Sequence, residues 1–430
     1  MAITFRRRGN TAAVTAAAAA LVALGMALHP ATSAADFTDE TRVELLVAAG
    51  PGLQIERAAT SLPVAVGIGQ DGRVYQWGTV GAGALWGASS TTTNTPVLAT
   101  DFVWPARPVD VAAAGPIATR ATVLVLLEDG TVWAYGYGGQ GLLGQGSTAN
   151  SDTPVQVKFP AGVKVAALSM NSRGLSITDG DASALALTST GDVYGWGANR
   201  GGQLGVGTTT TTLTPTRLTF PGGAKIASIA AGGSTGYAAS TTGVLYSWGE
   251  GGEGKLGTGN ATNALTPVAA ARGQMPAGVT VKSVAAGANS GYALGSDGVV
   301  YGWGRGSNGR LGTGSTTTPT VPTRSAQPAG VTFDHLVAGG TFAFASTPDG
   351  QLYAWGWNAA GNLCLPESDA VLTPTPVTQP AGVRFAATGA TGGYSAILRG
   401  SDDNAWFCGQ MPYPTGPKVS TLTEVAKPWL

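Results

Sequence analysis

The chain has 430 residues, with 24 Lys and Arg against 24 Asp and Glu, and only 11% of its residues are charged. So even a balance gives no electrostatic footprint for DNA or RNA. Its 66 glycines, about double the usual share, recur at regular intervals among Trp, Val and Tyr, which marks turns rather than disorder.

In chain order, the first element is a leader. Arg6, Arg7 and Arg8 form a positive start, residues 11–28 are rich in Ala, Val and Leu, and Ser33 and Ala35 occupy the small-residue positions of a cleavage site. A signal peptide over residues 1–35 is expected, by the general or the twin-arginine route. An uncleaved membrane anchor is the competing reading of the same stretch. Losing the three arginines leaves 21 basic against 24 acidic residues in a mature chain from Asp36. No later stretch is apolar enough to span a bilayer.

From there one cassette returns seven times. A turn Gly (Gly72, Gly130, Gly191, Gly243, Gly298, Gly350) is followed five residues on by an aromatic (Trp77, Tyr135, Trp196, Trp248, Trp303, Trp355), each followed by Gly. Nineteen residues later comes Pro96, Pro154, Pro215, Pro267, Pro322 or Pro374, and an eroded seventh copy ends at Cys408-Gly409. A period of 52 to 61 residues implies one supersecondary unit used repeatedly. In the third copy, 163–168 and 184–188 read as strands a and b. The stretch 192–196 alternates as strand c, and 215–218 is strand d, where Pro suits an outer edge. Asp-Gly turns at Asp71, Asp129, Asp297 and Asp349 join b to c. Turn chemistry explains these aspartates better than a metal ladder, since Thr190 and Thr242 take the same slot in other copies. Four-stranded antiparallel units repeated radially make a seven-bladed, all-β propeller.

The stretch Val193-Tyr194-Gly195-Trp196-Gly197-Ala198-Asn199-Arg200-Gly201-Gly202-Gln203-Leu204-Gly205, running on to Thr214-Pro215, closely resembles the repeat of the regulator-of-chromosome-condensation (RCC1) family. The resemblance covers residues 41–430 and implies a seven-bladed propeller forming a single domain over 36–430. The His usual near the start of strand b is replaced by Tyr237, Tyr292, Phe342 or Tyr394, which read as core aromatics.

After Cys408-Gly409 the Gly-Gln-Leu-Gly loop is missing, so blade seven is expected to lack its own strand d. Residues 41–47 are expected to supply it from the N-terminus, closing the ring. Cys364 replaces a loop Gly and Cys408 replaces a Trp, in neighbouring blades six and seven. These two cysteines are the only ones in the chain, so a disulfide is expected in an exported protein, with two unrelated buried thiols as the alternative.

Catalysis has no positive support. Beyond the leader the chain has one His, His335, which reads as structural, and the Gly-rich loops after strand c open no helix and so cradle no phosphate. No cofactor and no metal are expected. Two residues past the strand-c aromatic, matched positions vary: Thr79, Tyr137, Ala198, Glu250, Arg305, Trp357 and Gln410. Arg200 lies two further on, and Trp86 replaces a loop Gly in blade one. Since aromatics and Arg dominate interface energetics, Trp86, Tyr137, Arg200, Glu250, Arg305 and Trp357 are the candidate partner-binding residues. Packing beneath the Thr-rich loops is the other reading of the two tryptophans. Insertions carrying Trp104 and Arg107, and Arg173, Asp179 and Asp181, fall on opposite rims.

The expectation is a secreted, bacterial, monomeric, non-enzymatic scaffold that binds a protein on its variable rim. The alternative is a carbohydrate- or cell-wall-binding propeller, with the aromatics stacking on sugar rings. The resemblance implies two precedents. The family's namesake is a nucleotide-exchange factor for a nuclear GTPase that binds chromatin, which export and the near-neutral charge oppose here. Secreted bacterial relatives include a tight inhibitor of β-lactamases, so a β-lactamase inhibitor is a third reading, beside an enzyme.

Overall fold

The computed structural model describes residues 55–60, 64–80, 91–99, 102–115, 120–172, 182–391, 395–402, 404–410 and 418–424. The expected leader, residues 41–47, Trp86, Arg173, Asp179, Asp181 and Tyr394 lie outside them.

Seven four-stranded antiparallel sheets follow one another, each with its strands in sequence order from a to d. Blade three runs Val165–Ser172, Ala182–Thr188, Val193–Gly197 and Thr212–Arg217, within a few residues of the expected bounds. Strand b is buried throughout because neighbouring blades cover both its faces, whereas strand d is half-exposed at the edge and carries Pro215.

The invariant aromatic-Gly pair has a geometric cause. Strands c and d slip register at the aromatic in blades one, two, three, four and six, and at Cys408 in its place in blade seven, between Gln76 and Gly78, Ala134 and Gly136, and so on to Phe407 and Gly409. The residue after the slip has positive φ, from 98° to 111° at Gly136, Gly197, Gly249, Gly356 and Gly409, and Gly304 of blade five holds 86° without a slip. A Cβ on Gly249 would stand 2.3 Å from the Ser234 carbonyl oxygen. Only Gly tolerates both conditions.

The core is a set of seams between consecutive blades. One apolar cluster joins Leu124 and Leu126 of blade two to Ala184 and Trp196 of blade three, and another joins Leu187 and Val193 of blade three to Trp248 of blade four. At three of these seams a ring from the later blade donates into the earlier one, whereas the Trp355 Nε1 between blades five and six is buried without an acceptor among the described residues. Trp196 Nε1 donates to the Leu142 carbonyl at 2.9 Å, Trp248 to Gln203 at 2.8 Å and Trp303 to Lys255 at 2.8 Å. The Gly of three Leu-Gly loops lies against the next ring, so that a Cβ on Gly205, Gly257 or Gly312 would meet Trp248, Trp303 or Trp355 at 2.8, 3.0 or 2.9 Å.

Between blades six and seven the contact is covalent. Cys364 and Cys408 form the expected disulfide, with Cα atoms 5.3 Å apart. Cys364 holds the positive φ of the Gly it replaces, and Cys408 Sγ lies 3.5 Å from the Asn362 carbonyl, the counterpart of the acceptor the Trp rings use.

The expected N-terminal clasp is corrected. Lys418–Glu424, from the chain's own C-terminal side, is strand d of blade seven and pairs with strand c, Ala405–Gln410. Sequence reading missed it because its loop is short. Gly409 pairs with Val419, ten positions on, whereas Gly197 pairs with Thr212, fifteen on, and the strand has no Pro to mark it. The ring closes by packing, with strand a of blade one (Ile55–Thr60) against strands a and b of blade seven (Phe385–Thr391 and Ser395–Gly400).

On the rim of b–c and d–a turns, Asp71 accepts from the Tyr75 hydroxyl at 2.6 Å and Asp297 from Tyr301 at 2.8 Å. Hydrogen bonds from Lys225 and Arg217 hold the Asp192 carboxyl down at about 2. These aspartates serve turns and blade junctions. Among the described residues no group of three or more His, Cys, Asp or Glu could hold a metal ion, and no helix is long and apolar enough to cross a membrane.

Candidate functional site

The opposite rim is built by the a–b and c–d loops, which are tied together. The residue two past the strand-c aromatic donates its N–H to the residue before or at the start of strand b: Tyr137 to Ala121, Ala198 to Ala182, Glu250 to Ser234, Arg305 to Asn289 and Trp357 to Thr341. Each c–d loop then reaches across to strand d of the next blade, as in Gly146 N–H to Leu213 O and Gly207 N–H to Leu265 O. Tyr137, Ala198, Glu250, Arg305 and Trp357 therefore take equivalent places on blades two to six. Trp86 lies outside the described residues.

Their surroundings differ. Tyr137 is half-buried, its ring against Gly139 and under the Arg120 guanidinium, whose carbon is 5.8 Å from the ring centroid. Trp357 is half-buried within strand c of blade six (Leu352–Asn358), paired with Ala370. Arg200 is exposed. Glu250 makes a 2.9 Å ion pair with Lys255 Nζ, with side chains 22% and 8% exposed, and also accepts from the Ser234 hydroxyl. Arg305 is 46% exposed, 3.9 Å from a Glu253 oxygen.

A second variable row was missed by sequence reasoning. Seven residues past the aromatic, beneath the first row, stand Leu142, Gln203, Lys255, Arg310 and Asn362, all buried. The signal was in the repeat registration, since this is the Gln slot of Gly-Gln-Leu-Gly and it varies as the first row does. The rows are matched: Tyr137 packs with Leu142, Glu250 pairs with Lys255, and the Asn362 amide donates to the Trp357 carbonyl at 2.7 Å. At the loop tips Gln140, Glu253 and Asn308 hold positive φ.

The Tyr residues in the usual His slot are interior. The Tyr237 and Tyr292 hydroxyls donate to the Lys255 and Arg310 carbonyls at 2.7 Å, and burial pushes Tyr292 up to about 12. His335 is partly exposed beside Asp334, its Nδ1 2.8 Å from the carboxylate.

Loop rims of this kind, fixed by an aromatic-Gly bulge and a Gly-on-Trp seam, agree with a family comparison. The family model for the RCC1-like domain matches residues 23–410. The chain belongs to the RCC1-like domain family. This RCC1-like propeller is 32% identical over 232 residues to the ultraviolet-B receptor UVR8 of Arabidopsis thaliana, covering 54% of this chain and 50% of that protein. It is 29% identical over 345 residues to the E3 ubiquitin-protein ligase HERC2 of Homo sapiens, covering 79% of this chain and 7% of HERC2. The chain thus spans half the length of one relative and a small part of the other. Among solved structures it is similar to human WBSCR16 (TM-score 0.68, 19% identity, 83% of this chain and 94% of that one). It is equally similar to Prp20p of Saccharomyces cerevisiae (TM-score 0.68, 21% identity, 87% of each chain), a structure reported with its binding to Gsp1p and histones. At such identities these structures share the fold.

Proposed function

We propose that the chain is a secreted, non-enzymatic scaffold that binds a protein partner on the rim of a–b and c–d loops across blades two to six. The observation that carries this reading is the matched pair of variable rows on an otherwise monotonous repeat. The frame around them is invariant, and the side chains offered to solvent are free to specify a partner. The apolar leader and the single disulfide support export. Prp20p, a fold neighbour, is described as binding Gsp1p and histones, which is a precedent for protein binding by this architecture. Sugar stacking is the weaker reading, since the Tyr137 ring is already engaged by Gly139 and Arg120.

The test is capture from secreted proteins and from purified wall polysaccharide. Replacing Arg200 and Arg305 with Ala should abolish protein capture while shifting stability by no more than about 0.5 kcal/mol, as for exposed positions. Glu128→Gln with Asp349→Asn on the other rim should leave capture intact. Capture lost in that control, or binding to polysaccharide alone, defeats the reading.

A further inference from the structure

Both rows are described on blades two to six, and among these only blade five sets like charges in the two places. Blade two sets apolar against aromatic, blade four base against acid, and blade six an amide against a backbone carbonyl, while in blade three the Gln203 amide oxygen accepts from the Gly201 N–H. Blade five sets Arg305 over Arg310. The pair occupies the places of Glu250 and Lys255, so the slot that holds an acid in blade four holds a second cation here.

Arg310 is only 4% exposed. Its Nε donates to the Ser307 carbonyl at 2.9 Å and a terminal nitrogen donates to the Ser307 hydroxyl at 3.1 Å. Among the described residues these are its only acceptors, and no carboxylate comes within ion-pair distance of it. Arg305 Nε donates to the same Ser307 hydroxyl at 3.1 Å. Two guanidinium groups thus converge on one neutral oxygen. The Glu253 carboxylate stands 3.9 Å from Arg305, on the exposed side, 48% exposed itself. Burial pulls Arg310 below the ordinary guanidinium value; Tyr292 opposes this, and the Arg305 charge adds to it to a smaller extent, with Glu253 the least of the opposing effects. A buried cation is tolerated when paired and costly when not. A guanidinium also offers five N–H donors in a planar fork suited to a carboxylate.

We propose that the blade-five rim, Arg305 and Arg310 around Ser307, is a receptor for a carboxylate side chain of the protein partner, which completes the ion pair that blade four makes internally. The inference rests on the rim-binding reading and names the chemistry of one of its contacts. Charge complementarity fixes the occupant as an Asp- or Glu-bearing loop. Arg305 meets it first, from its exposed place on the rim, and Arg310 strengthens the attraction from below, where low dielectric magnifies it.

The test uses the purified full chain and a short capped peptide with two adjacent glutamates, set against its glutamine counterpart and inorganic phosphate. The side-chain N–H signals of Arg305 and Arg310 are followed by NMR. Saturable shifts of both with the glutamate peptide are expected, at least tenfold weaker with the glutamine peptide and with phosphate. Arg305→Glu places the missing carboxylate within the chain, and should weaken the peptide at least tenfold while raising Tm. This variant alters an exposed residue, so it stays informative if Arg310→Gln does not fold. Equal shifts with the glutamine peptide, a stronger response to phosphate, or a lower Tm in Arg305→Glu would overturn the proposal. No peptide response, with capture still lost in the Arg200 and Arg305 variant, refutes the carboxylate receptor and leaves the rim reading standing. A peptide response with capture unaffected by that variant refutes the partner assignment together with the rim reading.

Discussion

Glu250 and Lys255 show at single-residue scale how the repeat makes room for variation. In blade four the residue two past the aromatic, Glu250, is partly exposed and the one seven past, Lys255, is buried, so the buried charge is answered from the rim. Glu250→Gln leaves the Lys255 ammonium buried beside the Ser234 hydroxyl and should cost about 2 kcal/mol, below the loss for a fully buried pair because water still reaches the carboxylate. Adding Lys255→Met to that background should restore most of the loss, since an apolar pair of similar volume is close to neutral. Urea melts of the wild type, the two single variants and the double variant measure the coupling. A fully additive cycle would show that the ion pair contributes nothing. The same logic explains why the candidate residues were readable one at a time and their roles were not. Glu250 looked like recognition surface in the sequence, and the structure gives it a partner on its own loop.

At the scale of the element, the Gly-on-Trp seam is the joint that each blade offers the next. Gly312 has φ +69°, and a Cβ there would stand 2.9 Å from the Trp355 ring, whereas Gly330, at φ +77° in a Pro-Ala-Gly-Val turn, faces nothing within 4 Å. Both positions carry the same backbone penalty, and only one carries a clash. Gly330→Ala should cost about 1 kcal/mol from the left-handed backbone alone. Gly312→Ala should cost about 3 kcal/mol, because the ring cannot retreat from a packed interior. Equal losses in a denaturant melt would mean that the seam yields freely. Strand limits and the b–c turns were legible because alternation and Asp-Gly pairs act over a few residues. The bulge that makes the Gly after each aromatic obligatory was visible only as an unexplained constant.

For the whole molecule, ring closure decides stability, because a propeller with one weak seam can open there. Blade seven is held on one side by packing against blade one and on the other by the Cys364–Cys408 bond, which spans 44 positions. A loop of that length confines the unfolded chain enough to stabilise the fold by about 4 kcal/mol. Cys364→Ser with Cys408→Ser should therefore lower Tm by several degrees, and a reducing agent should do the same to the wild type once the buried bond is reached. Thiol titration of unfolded, unreduced protein should find no free thiol. A Tm that ignores both treatments would assign the seam's strength to packing.

The sequence by itself determined the repeat number, the four-stranded unit, the edge prolines and the pairing of the two cysteines. Each of these is encoded by local periodicity or by a substitution in register with it. Only the tertiary structure decided which segment fills the last edge, because a short loop and a strand without Pro leave no periodic mark, and two stretches of similar pattern competed for one place. Only the structure, likewise, set Arg305 over Arg310 with no acid among the described residues within ion-pair distance of the buried Arg310. Charge balance at a buried position depends on which side chains meet across a loop, and that is settled by the fold of the whole repeat.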